Sequence, residues 1–167
     1  MPIEIERKFL VTGDGWRKDA DAGRFFRQGY VTRGNCGQQE KASVRIRLAG
    51  NRAWLTLKSA HAGIIRDEYE YEIPVSDAAE ILTQMCGAPV IEKTRYRVPH
   101  DDRIWEVDVF AGNAAGLVLA EVELEAVDAL LNLPDWVGKE VTDDPRFRNA
   151  AIGVETSGDY IPKAEGP

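Results

Sequence analysis

Eight stretches of this chain alternate apolar with polar or charged residues at a period of two. That is the period of a strand, in which successive side chains leave opposite faces of the sheet. The stretches fall at 2–11, 24–32, 43–49, 52–59, 64–73, 89–98, 103–110 and 117–126. Turn residues separate many of them: Gly13-Asp14-Gly15, Gly34 with Asn35 and Gly37, Gly50-Asn51, Gly63, Asp101-Asp102 and Gly112-Asn113. Gly50-Asn51 between two alternating runs predicts a tight hairpin. Short strands of even spacing predict an all-β barrel or sandwich.

The rest of the chain is brief. A helix is expected over 77–85, capped by Ser76, with Glu80 near the capping-box position and Gly87 as its stop. Residues 15–23 read as a short helical or irregular connection. Residues 136–142 are short and mixed and predict no regular element. Asp144-Pro145 looks like a helix start, the helix running to Ile152 and ending at Gly153. The residues after 156 read as a loose tail, which gives one domain over 1–155 and a tail over 156–167. A length of 167 residues suits a single domain.

Net charge is -7, which argues against a nucleic-acid binder but leaves room for a local basic pocket. No apolar run approaches a membrane span, and the acidic N-terminus has no apolar signal core. Cytoplasmic location and no membrane partner are expected. Cys36 and Cys86 stand apart from any second Cys or His at metal-ligand spacing, so a structural zinc site is not expected.

Charge sign is what makes the strands unusual. Glu4, Glu6 and Lys8 share one face of the first strand, about 7 Å apart in succession. Arg45 and Arg47 share a face, as do Lys93, Arg95 and Arg97. Glu68, Glu70 and Glu72 do so on another strand, Glu106 and Asp108 on the next, and Glu121, Glu123 and Glu125 on the last. A solvated face usually mixes signs; here they are segregated by strand. Two arrangements fit. The charges face water around an apolar interior, or they face inward, where a polyanion neutralises the bases and cations neutralise the acids. An eight-stranded barrel is wide enough for one small ligand.

The order of these signals resembles the CYTH domains, the triphosphate tunnel metalloenzymes, and in particular their short bacterial members of the inorganic tripolyphosphatase type. Glu4-Ile5-Glu6-Arg7-Lys8 matches their ExExK signature. Gln28-Gly29-Tyr30, Arg45-x-Arg47, Lys58, Glu70-x-Glu72, Glu92-Lys93-Thr94-Arg95, Glu106-x-Asp108 and Glu121-x-Glu123-Leu124-Glu125 then follow in order, as does Gly138-Lys139-Glu140-Val141-Thr142-x-Asp144-x-Arg146-Phe147-x-Asn149 near the end. The resemblance implies an eight-stranded antiparallel closed barrel forming a tunnel, with a few flanking helices. It implies metal-dependent cleavage of a phosphoanhydride bond, most simply of inorganic tripolyphosphate. Lys8, Arg45, Arg47, Lys58, Lys93 and Arg95 would hold phosphate oxygens. Glu4, Glu6, Asp108, Glu121 and Glu123 would hold Mg²⁺ or Mn²⁺. Glu4, Glu6 and Glu123 are the candidates to orient the attacking water. Tyr30 either pairs with Lys8, as in some tripolyphosphatase members, or packs as a barrel tyrosine.

Rival readings use the same tunnel. A class IV-type adenylyl cyclase would make cyclic AMP from ATP, a thiamine triphosphatase would accept an organic head group, and a polyphosphate-binding module would not turn over. An apolar outer face would be covered by helices or by a second copy in a homodimer.

Overall fold

The computed structural model describes residues 3–33, 41–61 and 63–152. The expected loop at Gly34, Asn35 and Gly37, the stop at Gly153 and the tail over 156–167 lie outside them. Nine strands are described: β1 (Ile3–Val11), β2 (Arg24–Arg33), β3 (Ala42–Ala49), β4 (Arg52–Ser59), β5 (Ile65–Ile73), β6 (Gly87–His100), β7 (Arg103–Ala111), β8 (Val118–Glu123) and β9 (Val137–Glu140). Their order is β5-β4-β3-β2-β6-β7-β8-β1-β9, every pairing antiparallel. A further pairing of Ile3, Glu4 and Ile5 with Asp67, Arg66 and Ile65 joins β1 to β5 and closes eight strands into a barrel. Closure leaves those strands no free edge along the pairing, which is how an all-β chain avoids edge-to-edge association.

β1 shares one of its edges between two partners. β5 takes its first three residues, and β9 takes Phe9 and Val11 further along. Lys8 at that edge receives Val141 N–H on its carbonyl and donates its own N–H to Thr142 Oγ1. This ninth strand is a correction to the sequence reading. Val137-Gly138-Lys139-Glu140 has no alternation to signal it, and it forms because β1 offers unpaired backbone groups there.

Apolar residues of the barrel wall face outward, where other parts of the chain cover them. Phe9, Val98, Trp105, Val107, Ala120 and Val122 are at most 1% exposed. A 3-10 turn over Gly15–Asp19 lays Trp16 over this face, and Trp136 meets Trp105 edge-on at 5.7 Å. On the opposite wall the helix α1 (Val75–Gln84) buries Ala78 and Leu82 against Ile46 and Ala53. A third cluster lies on the inward face instead, by its register with Gln28, Lys93 and Asp108: Tyr30, Ile91, Phe110, Leu117 and Leu119 pack there with Phe147 and Ile152 from the chain end. Some apolar outer residues stay exposed, among them Ile65, Tyr69 and Tyr71 along β5. Among the described residues no helix is long and apolar enough to cross a membrane.

Two helix expectations are corrected. α1 begins at Val75 after Pro74, whose carbonyl accepts from Ala78 N–H. Ser76 lies inside the helix, its hydroxyl on Asp77 rather than on a helix N–H, because the proline has already set the helical entry. Gly87 does not stop the helix but opens β6, α1 ending at Gln84. After Asp144 only a 3-10 turn forms, Pro145–Phe147, and Arg148 returns to extended backbone. Phe147 is 4% exposed in the third cluster; that packing outweighs a local helical preference. β8 is also shorter than expected, since Glu125 turns away to pair with Arg103 at 2.6 Å.

Gly29 shows how closely the outer wall is packed. A methyl group there would lie 2.9 Å from Leu82 Cδ2 and 3.0 Å from Cys86 Cβ. Gly29→Ala is expected to cost about 1–3 kcal/mol, the range for overpacking a filled core. Urea unfolding measures it, and an unchanged midpoint would mean that the end of α1 yields freely.

Candidate active site

The register of the sheet decides which way the charges point. Gly29 faces α1, so its neighbours Gln28 and Tyr30 face the barrel interior. In-register pairing carries that face round the wall: Tyr30 with Arg45, Arg45 with Thr56, Thr56 with Glu70. It carries Lys8 to Glu121, Glu121 to Glu106 and Glu106 to Arg97. The segregated charges therefore line the inside, and the arrangement with an apolar interior is excluded.

A cavity with about 760 Å³ of empty space, its open mouth included, is lined by Glu4, Glu6, Lys8, Tyr30, Arg45 and Lys58, together with Thr142 and Phe147. The basic side chains within the barrel are held ready by ion pairs. Lys58 contacts Glu4 and, at 3.4 Å, Glu68. Arg47 reaches Glu70 at 3.2 Å and Arg45 reaches it at 3.7 Å, with Thr56 donating to the same oxygen at 3.0 Å. Lys8 pairs with Glu121 at 3.1 Å and donates to the Phe147 carbonyl at 3.1 Å.

Behind these lies a second network with little solvent. Asp108 receives Lys93 at 2.6 Å and Arg95 at 2.7 and 2.8 Å. Arg95 also reaches Glu121 at 3.0 Å and contacts Glu106. Lys93 and Asp108 are both 0% exposed. Burial alone would raise the carboxyls of Asp108 and Glu121, but the neighbouring cations outweigh it and hold both below their ordinary range. Burial and nearby Arg95 push Lys93 down to about 8 despite Asp108. Arg47 falls to about 10 through burial and the adjacent Arg45. Such crowding of buried cations is relieved by a bound anion.

Glu6, like Glu123, has no ion pair among the described residues. Burial, then Glu121, push it up to about 8. Glu4 lies two residues along the same face, and Glu123 stands opposite Glu6 in the β1–β8 register. These hard oxygen donors fit Mg²⁺ or Mn²⁺, which a protein commonly holds by one or two carboxylates plus phosphate oxygens and water. Among the described residues no three acidic, His or Cys side chains converge tightly enough to enclose an ion, so the fit is to donor chemistry and not to a finished cage. Asp108 fits less well than the sequence suggests, because both its oxygens are engaged by Lys93 and Arg95.

Of the residues singled out in the sequence, Glu4, Glu6, Lys8, Tyr30, Arg45 and Lys58 meet at one cavity. Arg47, Lys93, Arg95, Asp108 and Glu121 form the connected wall around it. Glu123 is exposed, placed beside Glu6 by register alone. Tyr30 packs in the apolar cluster at 5% exposure, and Lys8 Nζ goes to Glu121 and Phe147 instead of the tyrosine hydroxyl. Sequence reasoning noted Glu68, Glu70 and Glu106 without placing them; they are the counter-charges that hold Lys58, Arg45, Arg47 and Arg95. Thr142, Phe147, Arg148 and Asn149 also reach the cavity; the first, second and fourth stand in the C-terminal family signal, but no strand alternation assigned them to the site.

Comparison with known proteins agrees with this geometry. A CYTH domain model matches residues 2–148. The chain is 47% identical over 152 residues to an inorganic triphosphatase of Acetivibrio thermocellus, covering 91% of this chain and 94% of the relative. It is 39% identical over 157 residues to an inorganic triphosphatase of Nitrosomonas europaea, covering 90% and 97%. A crystal structure of an inorganic triphosphatase superposes with a TM-score of 0.63 at 36% identity, over 92% of this chain and 99% of that one. A putative adenylate cyclase from Bacillus halodurans, at 16% identity and a TM-score of 0.56, shares the fold over 75% of this chain and 82% of that one. A closed barrel with an inward ExExK strand, matched by this domain model over nearly all of its described length, places the chain in the CYTH family.

Proposed function

We infer that this chain is a divalent-metal-dependent hydrolase of a triphosphate, with inorganic tripolyphosphate as its substrate. The observation that carries the reading is the barrel interior, where Lys8, Arg45 and Lys58 line one cavity, each paired with a carboxylate, and Arg47 stands in the wall beside them on Glu70. A tripolyphosphate entering there exchanges those carboxylates for its own oxygens. The guanidiniums offer paired donors and the lysines point charges. The relatives named inorganic triphosphatases, matched nearly end to end, support the same substrate.

Water attacks the terminal phosphorus, the P–O bond to the bridging oxygen breaks, and phosphate and pyrophosphate leave. Glu4, Glu6 and Glu123 would hold a divalent metal, which would neutralise charge on the phosphoryl oxygens. The chain's own part is positional. The basic residues fix the anion in line, and the barrel wall keeps the site poor in bulk water, where charged contacts are strongest. The likeness to cyclases is one of fold and favours no base pocket.

Phosphate release from tripolyphosphate, ATP and thiamine triphosphate, with Mg²⁺ or Mn²⁺ and then with EDTA, tests the assignment. Release from tripolyphosphate that EDTA abolishes is the expected result. Cyclic AMP from ATP would move the chain to the cyclase branch, and no turnover of any of the three would leave a binding module.

A further inference from the structure

Gln28 is a polar side chain with no counterpart in its surroundings. It sits in the middle of β2 with Arg47 opposite on β3 and Ile91 opposite on β6. It faces inward, since Gly29 beside it faces α1. It is 0% exposed, yet neither its Oε1 nor its Nε2 has a hydrogen-bond partner among the described residues. The Nε atoms of Arg45 and Arg47 on the adjacent strand are buried and unpartnered as well. Buried carboxamides are nearly always bonded, because leaving one unmet forfeits its hydration with no return. An apolar residue would fill an inward position next to Phe26 and Tyr30 without that cost. Three unmet N–H donor groups on neighbouring strands share one requirement, an oxygen acceptor.

We propose that Gln28 is a substrate-binding residue of the tunnel, its carboxamide N–H donating to an oxygen of the phosphate chain that Arg45 and Arg47 also hold. The proposal rests on the triphosphate reading of the tunnel and adds a neutral contact to it. An amide differs from its cationic neighbours in offering a donor without charge. It therefore fixes where an oxygen sits while adding nothing to the net attraction.

Gln28→Met separates this from a purely structural role. Methionine keeps the length of the side chain and removes both unmet atoms. Taking away a buried unpartnered group leaves the free fold no less stable. The measurements are the thermal midpoint of the free protein, and the midpoint shift and KM with tripolyphosphate, for wild type and variant. The expected result is an unchanged or raised midpoint without ligand, a smaller shift with it, and a KM higher by about tenfold, the loss typical of one hydrogen bond to a charged group. Gln28→Glu should raise KM further, because a carboxylate repels phosphate oxygens. A lower midpoint with an unchanged KM in the Met variant would make Gln28 structural and overturn the proposal. A wild type that is neither stabilised by tripolyphosphate nor cleaves it would overturn the tunnel reading and this proposal together. A wild type that binds normally beside a Met variant that binds equally well would remove only Gln28.

Discussion

Asp108→Asn is expected to destabilise the barrel by about 3–5 kcal/mol, the cost of removing one partner from a buried charged pair. The side chain is 0% exposed and takes three charge-assisted hydrogen bonds, one from Lys93 and two from Arg95. Asparagine keeps the shape and discards the charge. Arg95 retains Glu121 and Glu106, but Lys93, itself 0% exposed, has no other ion pair among the described residues. The sign of the pH dependence follows. Lys93 already stands near 8 with Asp108 present, below its unfolded value of about 10.4. Without the carboxylate it falls further, so the folded variant resists a proton that the unfolded chain accepts. The deficit relative to wild type therefore grows as pH falls through 8, and it is smaller in alkali, where Lys93 is neutral in both folded proteins. Urea unfolding at several pH values measures this. Unchanged stability with a higher metal concentration needed for turnover would instead make Asp108 a metal ligand, as the family resemblance implies.

That residue marks a limit of reading this chain from sequence. Strand identity and the segregation of charge to one face are written locally: Arg45-Ile46-Arg47 and Lys93-Thr94-Arg95 alternate at the strand period, and the turns between them carry Gly, Asn and Asp. Because a strand has only two faces, knowing that Lys8 and Arg45 face inward places their alternate neighbours on the wall. What the alternation cannot hold is partner choice. Asp108 reads as one more acid in a row of acids, and only the β6–β7 register puts Arg95 opposite it. Features formed by tertiary demand are equally silent. β9 exists because β1 has unpaired backbone to offer, and the 3-10 turn at Pro145–Phe147 replaces a longer helix because Phe147 enters the apolar cluster. The cap of α1 was locally readable, and there two local signals competed: Ser76 is the commoner capping residue, but Pro74 came first and set the start.

Lys8→Met should lower kcat/KM on tripolyphosphate by about 10²–10³-fold, the loss seen when one preorganised donor is taken from a developing charge. Lys8 lines the cavity with Arg45 and Lys58, and its side chain is only 11% exposed, so water cannot readily take its place. Methionine preserves the apolar stem, which keeps the packing of β1 intact. The pairing lost is one that its partner can spare, because Glu121 still has Arg95 at 3.0 Å. The Phe147 carbonyl loses the Lys8 ammonium, at a cost of about 1 kcal/mol. Turnover and stability should therefore part company, the first falling by orders of magnitude while the urea midpoint moves little. Phosphate release and unfolding on the same preparation decide the matter. Full activity in a folded variant would remove Lys8 from the groups that hold the anion. A large fall in stability would show that Lys8 chiefly ties the chain segment at Phe147 to the barrel wall, and lost activity would then follow from lost structure.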